Sequence, residues 1–337
     1  MNSQRRVLII GTGSYLPQRV LTNADLEKMV ETSDEWIVTR SGIKERHIAR
    51  PDEPTSEMCA SAARLAIEQS GLSPAELGAI IVATITPDMP LPSTACFVQE
   101  KIGAKNAFCF DLQAACSGFL YGLEIARQFV SSGFINSALV IGAEKLSYIT
   151  DWKDRSTCVL FGDGAGAVVV CAADTAPEKH RRNSRGIMHT VMGSDGALAD
   201  LLTVPGGGTR TPLTEANIGE RLQYIKMNGK EVFKHAVRCM CDAGQQVLDL
   251  SGLTINEISC VIPHQANIRI INAIAERFNN CIDKFYINLE RVGNMSAASV
   301  PVAMDEAVRK GRIKNGDKVL LIVFGGGFTW GAMTIEW

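Results

Sequence analysis

The chain has 337 residues, enough for about two domains or one large fused one. Hydrophobic residues make up 46% and charged residues 21%, which is typical of a globular protein and excludes a disordered one. The 34 Lys and Arg are balanced by 36 Asp and Glu, so we expect no nucleic-acid partner and no membrane partner. A local basic patch for one acidic partner remains compatible with this composition.

Ten scattered cysteines, most of them in apolar runs, predict reduced core residues of a cytoplasmic protein and not a disulfide scaffold. The apolar run after Arg6 is too short for a signal peptide, and no run reaches the ~18 residues of a membrane helix. That run ends in Gly11-Thr12-Gly13, which is similar to the start of a dinucleotide-binding turn. Leu16 replaces the third glycine and Pro17 would stop the required helix, so we predict a structural turn instead.

A repeated sequence pattern predicts that the chain consists of two similar halves. Residues 70–77 and 251–258 both read as a Gly helix stop followed by a capped turn, and each lies between an amphipathic helix pattern and a buried strand. The strand–helix alternation predicts an α/β fold with largely parallel sheets covered by helices. We place the halves at 1–174 and 175–337, with a solvated polar seam at 173–186. Such a duplication would bring equivalent strand-to-helix turns together, where active sites often form.

Two other motifs favour structural roles. The run Phe161-Gly-Asp-Gly-Ala-Gly166 has no following Lys-Ser/Thr, so it indicates close backbone packing at a strand start and not a phosphate loop. His235, Cys239 and Cys241 have helical spacing, but the second ligand pair that zinc usually requires is missing nearby. We therefore predict an ordinary helix there and no metal site.

Cys116 follows a strand-like run at 108–112 and begins a helix from Gly118. A helix N-terminus can lower a cysteine pKa to ~3.5–7.5 and so supply a thiolate nucleophile. Taken alone, a buried small residue is the simpler interpretation, because the chain has ten cysteines. The prediction of a nucleophile therefore depends on the motifs in the second half.

Three motifs of the second half supply matching chemistry. His264 directly follows a buried strand, and Asn294 lies at the turn that echoes Cys116. A thiol, an imidazole and an amide at strand ends form a plausible nucleophilic site. The glycines at 325–327 can bring a bare N–H to an oxyanion, although a bulge or tight turn explains them equally.

Four ordered motifs now carry a resemblance over nearly the whole chain: Ala-Ala-Cys116-Ser-Gly-Phe, Pro-His264-Gln-Ala-Asn, Gly-Asn294-Met-Ser-Ala-Ala-Ser and Phe324-Gly-Gly-Gly-Phe-Thr-Trp-Gly331. The sequence resembles the β-ketoacyl-acyl carrier protein synthase III family. The resemblance implies a thiolase-like, duplicated αβαβα five-layer fold, a homodimer, and the first condensation of type II fatty acid biosynthesis. Elongating relatives have a second histidine where this chain has Asn294, and thiolases have a second late cysteine, so priming by acyl-CoA is favoured.

The resemblance also implies a mechanism. Cys116 would attack a short acyl-CoA, acetyl-CoA being favoured, and the N–H groups of Cys116 and Gly326 would hold the oxyanion. His264 and Asn294 would then donate hydrogen bonds to the malonyl-acyl carrier protein thioester as CO₂ leaves. The substrate is acyl-CoA itself, and no metal or other cofactor is implied.

Binding residues carry over in the same way. The implied CoA contacts are Thr32, Trp36, Arg40, Arg155 and Asn267. The implied carrier-protein contacts are Lys234, Gln265, Arg269 and Arg277, and the implied acyl-pocket residues are Leu91 and Phe324. Without the family, Trp36 is an ordinary helix residue and each basic residue a solvated charge. Two positions depart from the usual pattern, with Met295 in place of Thr and Lys230 in place of a neutral amide.

Two alternatives remain. A specialised synthase or acyltransferase of secondary metabolism would share Cys116, His264 and Asn294 but use other donors or acceptors. A non-catalytic subunit of the same fold is disfavoured because these three residues are intact. The primer is left open among acetyl, propionyl and branched acyl groups.

Overall fold

The computed structural model describes residues 4–180 and 185–337, so Arg181 and Arg182 of the predicted seam lie outside the described residues. The strands are β1 Val7–Tyr15, β2 Arg19–Thr22, β3 Glu45–Ile48, β4 Ala79–Ala83, β5 Phe108–Leu112, β6 Ser137–Lys145, β7 Asp163–Ala172, β8 Gly186–Ser194, β9 Leu202–Thr203, β10 Lys226–Met227, β11 Cys260–Pro263, β12 Lys318–Gly325 and β13 Thr329–Glu336. The helices are α1 Asn23–Leu26, α2 Asp34–Ser41, α3 Thr55–Ser70, α4 Thr94–Ile102, α5 Gly118–Ser131, α6 Gly229–Ser251, α7 Ile268–Arg277, α8 Leu289–Val292 and α9 Ser299–Arg309.

Two large sheets carry the fold. The first has the strand order β1-β7-β6-β4-β5 and the second β8-β13-β12-β11. In the first sheet, β5 pairs in parallel with β4. In the second sheet, Phe285 forms a parallel bridge with Val261 of β11 and so occupies the position that corresponds to β5. The strand orders of the two sheets therefore correspond. The prediction of largely parallel sheets is wrong, because β7 and β13 run antiparallel to both neighbours. In the second sheet the reason is local: only residues 326–328 separate β12 from β13, and so short a connection forces an antiparallel pair.

Helices cover and separate these sheets. α5 and α9 lie between them and share one apolar core with inward residues of both sheets. α3 packs on the outer face of the first sheet, and α6 with α7 packs on the outer face of the second. The result is the five-layer αβαβα arrangement, in which each sheet is buried on both faces. Within the described residues, no helix is long and apolar enough to cross a membrane.

The duplicated turns form as their sequence indicates. α3 ends at Gly71 and α6 at Gly252, and both glycines adopt left-handed backbone angles, with φ of 76° and 66°. Capping boxes then form at Ser73 and at Thr254, each closed by a Glu three residues later. β4 and β11 follow these capped turns, so the two strands occupy equivalent positions in the two halves.

The predicted turn at Gly11–Gly13 is wrong, since these residues lie inside β1. An ideal Cβ at Gly13 would lie 2.3 Å from the carbonyl oxygen of Ala62, so the glycines allow α3 to pack directly on the strand backbone. β1 is followed by β2, and not by the helix with which a dinucleotide-binding turn continues. At Gly166 a Cβ would lie 2.6 Å from the Val302 nitrogen, which confirms close backbone packing in the 161–166 run.

The cysteines and the predicted ordinary helix also agree with the sequence interpretation. All ten cysteines are free and seven of them are buried. His235, Cys239 and Cys241 lie on α6. No group of three or more His, Cys, Asp or Glu suited to a metal ion is found in the part of the chain that the structure describes.

Candidate active site

Cys116 lies in a short 3₁₀ turn, Ala115–Ser117, that leads into α5. The end of β12 packs against this turn so closely that a Cβ on Gly325 would lie 2.7 Å from the Cys116 nitrogen. Thr329 donates a hydrogen bond of 3.0 Å to the Ala114 carbonyl from the same side. The second half of the chain therefore holds the cysteine of the first half in place.

His264 directly follows β11 and is almost completely buried. Its backbone N–H donates to the Ile322 carbonyl at 2.8 Å, which continues the pairing of β11 with β12. Its Nδ1 lies 2.7 Å from the Ser299 hydroxyl at the start of α9. Burial lowers the pKa of His264 to about 3, so the imidazole is neutral at physiological pH.

Asn294 is fixed by both its backbone and its side chain. Its N–H donates to the Leu160 carbonyl at 2.9 Å, and its carbonyl accepts from the Gly162 N–H at 3.0 Å. Its side-chain Oδ1 accepts from the Ser296 N–H at 2.9 Å. The carbonyl end of the amide is thereby engaged, and Nδ2 is the end that can donate a hydrogen bond to a ligand.

The two site turns repeat one backbone conformation. Ala115 and Ser296 both have φ of 45°, and each begins a 3₁₀ turn that leads into a central helix. The predicted correspondence of the two turns is confirmed. Residue by residue, however, Cys116 corresponds to Ala297, while Asn294 lies two residues before its turn begins.

Two cavities meet at Cys116. The first, of about 270 Å³, is lined by Cys116, His264 and Asn294 and also by Trp36 and Arg40. The second, of about 480 Å³, is lined by Cys116 together with Ser296, Gly326 and apolar side chains that include Ile85, Leu146, Ile149, Val204 and Ile225. The predicted catalytic residues therefore share one cavity, and the sulfur also reaches a second, mostly apolar one.

The expectation of a lowered Cys116 pKa is wrong for the unliganded protein. Burial raises the pKa of Cys116 to about 12, and the carboxylate of Glu144 acts in the same direction. A hydrogen bond with Ser296 opposes this shift without overcoming it. At neutral pH the resting residue is therefore the thiol, so a nucleophilic attack by this sulfur would require the loss of its proton.

The expected CoA residues cluster at Trp36. The guanidinium carbons of Arg40 and Arg155 lie 4.5 and 5.1 Å from the centre of the indole ring. The Thr32 hydroxyl oxygen is buried and has no hydrogen-bond partner among residues 4–180 and 185–337. Asn267 caps α7 by accepting from the Arg269 N–H, and its Nδ2 donates to the Arg40 carbonyl at 2.8 Å.

The carrier-protein residues divide into two groups. Lys234, Arg269 and Arg277 are exposed on α6 and α7. Gln265 is fully buried, and its Nε2 donates to the carbonyls of Pro263 and Tyr286 at 2.9 and 3.1 Å. The prediction that Gln265 contacts a carrier protein is therefore wrong, because its side chain ties two loops together beneath the surface.

The acyl-pocket residues are also separated. Phe324 lines the first cavity and packs against Phe328 at 4.8 Å between ring centres. Leu91 is 83% exposed and lines neither cavity of the single chain. Of the two unusual positions, Met295 is completely buried in a small apolar cluster, and Lys230 is exposed at the start of α6.

Three buried polar residues of this site were missed at the sequence level: Glu144, Ser296 and Ser299. The two serines fall inside the Asn294 motif, and their spacing before a predicted helix was the available signal. Glu144 lies at the end of a strand-like run with no neighbouring motif, so its position depends on the three-dimensional contacts.

A thiol, a neutral imidazole and an oriented amide donor share one cavity of a duplicated five-layer α/β fold. This combination is the one that an acyl-transferring enzyme with a cysteine nucleophile requires.

Comparisons with known proteins agree. Residues 110–196 match the family model for 3-oxoacyl-[acyl-carrier-protein] synthase III, and residues 248–337 match the model for its C-terminal part. The β-ketoacyl-[acyl-carrier-protein] synthase III of Caldanaerobacter subterraneus is 53% identical over 98% of this chain and 97% of its own length. The chain belongs to the 3-oxoacyl-[acyl-carrier-protein] synthase III family and is an acyltransferase of fatty acid biosynthesis.

Solved structures show the same fold. A crystal structure of 3-oxoacyl-[acyl-carrier-protein] synthase III from Aquifex aeolicus is 50% identical, with a TM-score of 0.89, over 98% of this chain and all of the other. The priming β-ketosynthase of the R1128 polyketide pathway is 34% identical, with a TM-score of 0.90, over all of this chain and 97% of the other.

The contact between Gly325 and the nucleophile turn can be tested by Gly325→Ala. The added Cβ would displace the Cys116 backbone, and a misplacement of about 1 Å can cost on the order of 100-fold in rate. We expect a comparable loss in the rate at which acetyl-CoA acetylates Cys116, measured by intact mass. Gly219→Ala is the control, because no atom lies within 4 Å of its added Cβ. Equal rates for the two variants would contradict the positioning role of Gly325.

Proposed function

We propose that the protein condenses a short acyl-CoA, acetyl-CoA being favoured, with malonyl-acyl carrier protein. The products are 3-oxoacyl-acyl carrier protein, CoA and CO₂, and the reaction passes through an acyl-Cys116 intermediate. The observation that carries this proposal is the convergence of Cys116, His264 and Asn294 on one cavity. The name shared by the relatives supports the same reaction class.

In the first half-reaction the Cys116 sulfur attacks the thioester carbon and CoA leaves. The backbone N–H groups of Cys116 and Gly326 hold the oxyanion, and both residues line the second cavity. The apolar lining of that cavity suits a short acyl chain. The CoA would extend through the first cavity toward Trp36.

In the second half-reaction the malonyl group loses CO₂, and the resulting enolate attacks the acyl group on Cys116. Asn294 Nδ2 and His264 Nε2 donate to the thioester oxygen, and each donor contributes ~3 kcal/mol to the transition state. The Asn294 amide is already oriented by the Ser296 N–H. The Ser299 hydroxyl lies 2.7 Å from Nδ1 of His264 and donates to the Ser296 carbonyl at 2.8 Å. For Nε2 to carry the ring proton, as this role requires, the hydroxyl turns from that carbonyl to donate to Nδ1.

CoA recognition is assigned to the cluster at Trp36. A purine held between two planar groups needs about 7 Å, twice a ~3.5 Å contact distance. Arg155 lies 5.1 Å from the indole centre, so it moves outward when adenine stacks on Trp36. The buried hydroxyl of Thr32 gains a partner if the ligand offers one. Arg40 and Asn267 line the same cavity and complete the CoA path.

The carrier protein is assigned to the exposed basic residues Lys234, Arg269 and Arg277. Phe233, which lines the first cavity, lies 5.8 Å under the Arg269 guanidinium, so the basic residues border the cavity. A basic border suits an acidic partner because opposite charges speed and orient the encounter.

We also propose two thiolase-like halves, 1–174 and 175–337, because the strands of the two large sheets lie within residues 7–172 and 186–336 respectively. The ten free cysteines support a cytoplasmic location. The R1128 priming β-ketosynthase has the same fold at 34% identity, so the acyl donor, and not the fold, separates the proposed function from that of a specialised synthase. Turnover of a panel of straight and branched acyl-CoA donors with malonyl-acyl carrier protein distinguishes the two.

The two half-reactions separate the roles of the site residues. We expect His264→Ala and Asn294→Ala to lower malonyl decarboxylation by about 10²–10³-fold, the usual cost of losing one such donor. Acetyl transfer to Cys116 should stay within a few-fold of the wild type, because neither side chain holds that oxyanion. Decarboxylation is measured by CO₂ release and acetylation by intact mass.

Cys116→Ala serves as the control for both assays and should gain no acetyl group. Equal loss of both half-reactions in the His264 and Asn294 variants would contradict the assigned roles. A wild-type protein that gains no acyl group from acetyl-CoA, propionyl-CoA or a branched acyl-CoA would refute the proposed function itself.

Charge reversal separates the carrier surface from the CoA path. Lys234→Glu and Arg269→Glu should raise KM for malonyl-acyl carrier protein by about tenfold and weaken its salt dependence. KM for acetyl-CoA should remain unchanged. Lys314→Glu is the matched control, because this exposed lysine precedes β12 at the sheet end opposite the site. An equal effect of all three variants would exclude a localised carrier surface.

The homodimer is proposed from the edge of the first sheet. β5 is an edge strand, and beside it Phe108 and Phe134 are 38% and 69% exposed with ring centres 5.9 Å apart. We expect light scattering to give twice the chain mass and Phe134→Asp to give a monomer. Leu250→Asp, at a 59% exposed position on α6, should leave the mass unchanged. A wild-type monomer would contradict the proposal.

A further inference from the structure

Glu144 is a buried carboxylate to which the proposed mechanism gives no role. It lies near the end of β6 and is completely buried. Hydroxyl groups of Thr86, Thr84 and Ser296 donate to it at 2.7, 3.3 and 3.0 Å, and the Ile85 N–H donates at 3.1 Å. So many converging donors hold the carboxylate at one position with one oxygen facing Ser296.

Ser296 connects this carboxylate to the nucleophile. Its hydroxyl donates to Glu144 at 3.0 Å, and the 3₁₀ turn that Ser296 begins packs against the 3₁₀ turn that carries Cys116. It lines the second cavity together with Cys116. The residue is held with φ of 45°, a conformation that is uncommon outside glycine, so the bridging position is maintained at some cost in backbone strain.

The other charged groups near this cluster do not compete for the proton. The ammonium of the adjacent Lys145 donates to the carbonyls of Arg50 and Glu53. On α3, burial and the carboxylates of Asp88, Asp111 and Glu144 keep the pKa of Cys59 well above its ordinary value, so Cys59 stays a thiol. The neutral His264 lines the first cavity and is bonded to Ser299.

We propose that Glu144 stores the proton of Cys116, which reaches it through the Ser296 hydroxyl, and that this relay activates the nucleophile. The proposal deepens the function proposed above and rests on it. When Sγ bonds to the acyl carbon, the S–H proton passes to Ser296 Oγ, and the Ser296 proton passes to Glu144. CoA leaves as a thiolate and takes a proton from solvent. After condensation the C–S bond breaks with its electron pair on Sγ, and Glu144 returns the proton.

The relay resolves the difficulty that burial creates at Cys116. A buried thiol that ionised beside a charged Glu144 would place two negative charges in one buried cluster. Passing the proton to Glu144 as the sulfur attacks keeps the cluster at a single negative charge until the CoA thiolate carries that charge away. Burial also raises the pKa of Glu144 to about 7, so that carboxylate can accept a proton near physiological pH.

The test is the pH profile of Cys116 alkylation by iodoacetamide, which needs no acyl-CoA. We expect Glu144→Gln to slow alkylation at pH 7 by at least tenfold and to leave a rate that rises about tenfold per pH unit. Ser296→Ala should slow alkylation at pH 7 by a similar factor and give the same rise with pH, although its Glu144 carboxylate is intact. Ala115 already adopts φ of 45° at the equivalent turn position, so alanine fits the backbone at 296.

Opposite outcomes would overturn the proposal. If Glu144 acts only through its charge, Glu144→Gln lowers the Cys116 pKa and speeds alkylation. Unchanged rates in either folded variant would equally refute the relay. Thr84→Val is the control, because it removes one donor to Glu144 outside the Ser296 path and should change the rate by less than about twofold.

Folding and function are checked separately. Circular dichroism and Tm show whether Glu144→Gln is folded, and Ser296→Ala alone decides the outcome if it is not. A wild-type protein that alkylates as expected but gains no acyl group from acetyl-CoA, propionyl-CoA or a branched acyl-CoA refutes the proposed function and leaves the relay standing. Normal acetylation with an alkylation profile unaffected by either variant refutes the relay alone.

Discussion

The backbone pairing of Asn294 with residues 160–162 joins the two halves where the chemistry is proposed to occur. Two hydrogen bonds, of 2.9 and 3.0 Å, fix the 294–299 turn against the start of β7. The approach is so close that a Cβ on Gly162 would lie 2.5 Å from the Val292 carbonyl oxygen. Because Ser296 lies two residues after Asn294, this backbone pairing also sets the position of Ser296 relative to Cys116.

The turn at 294–299 serves each member of the site differently. Its Asn294 amide is the proposed hydrogen-bond donor for substrate, its Ser296 hydroxyl donates to Glu144, and its Ser299 hydroxyl contacts Nδ1 of His264. Because one rigid turn carries all three groups, their relative positions are set by a single backbone conformation. Small shifts of this turn would therefore disturb both proposed half-reactions together.

Much of the fold could be predicted because its signals are local. The glycine stops, the capping boxes at Ser73 and Thr254 and the apolar strands are written in short segments, and the duplication repeats them. The chain direction of β7 and β13 could not be predicted in this way, because strand pairing depends on distant partners. The same limit explains β1, where the 11–13 glycines serve contact with α3 and not a turn.

In the site, too, the sequence indicates the chemical type of each residue, whereas its environment depends on the fold. Residue type and strand-end position identified Cys116 and His264, whereas burial decides how each behaves. Gln265 adjoins His264 yet is enclosed between two loops, and the helix start at Cys116 is outweighed by desolvation. Desolvation depends on residues that the fold brings around Cys116 from distant parts of the chain, such as Gly325 at the end of β12. Glu144 becomes relevant to Cys116 only because the fold closes Ser296 over both, so the proton balance of the site is a property of the duplicated architecture.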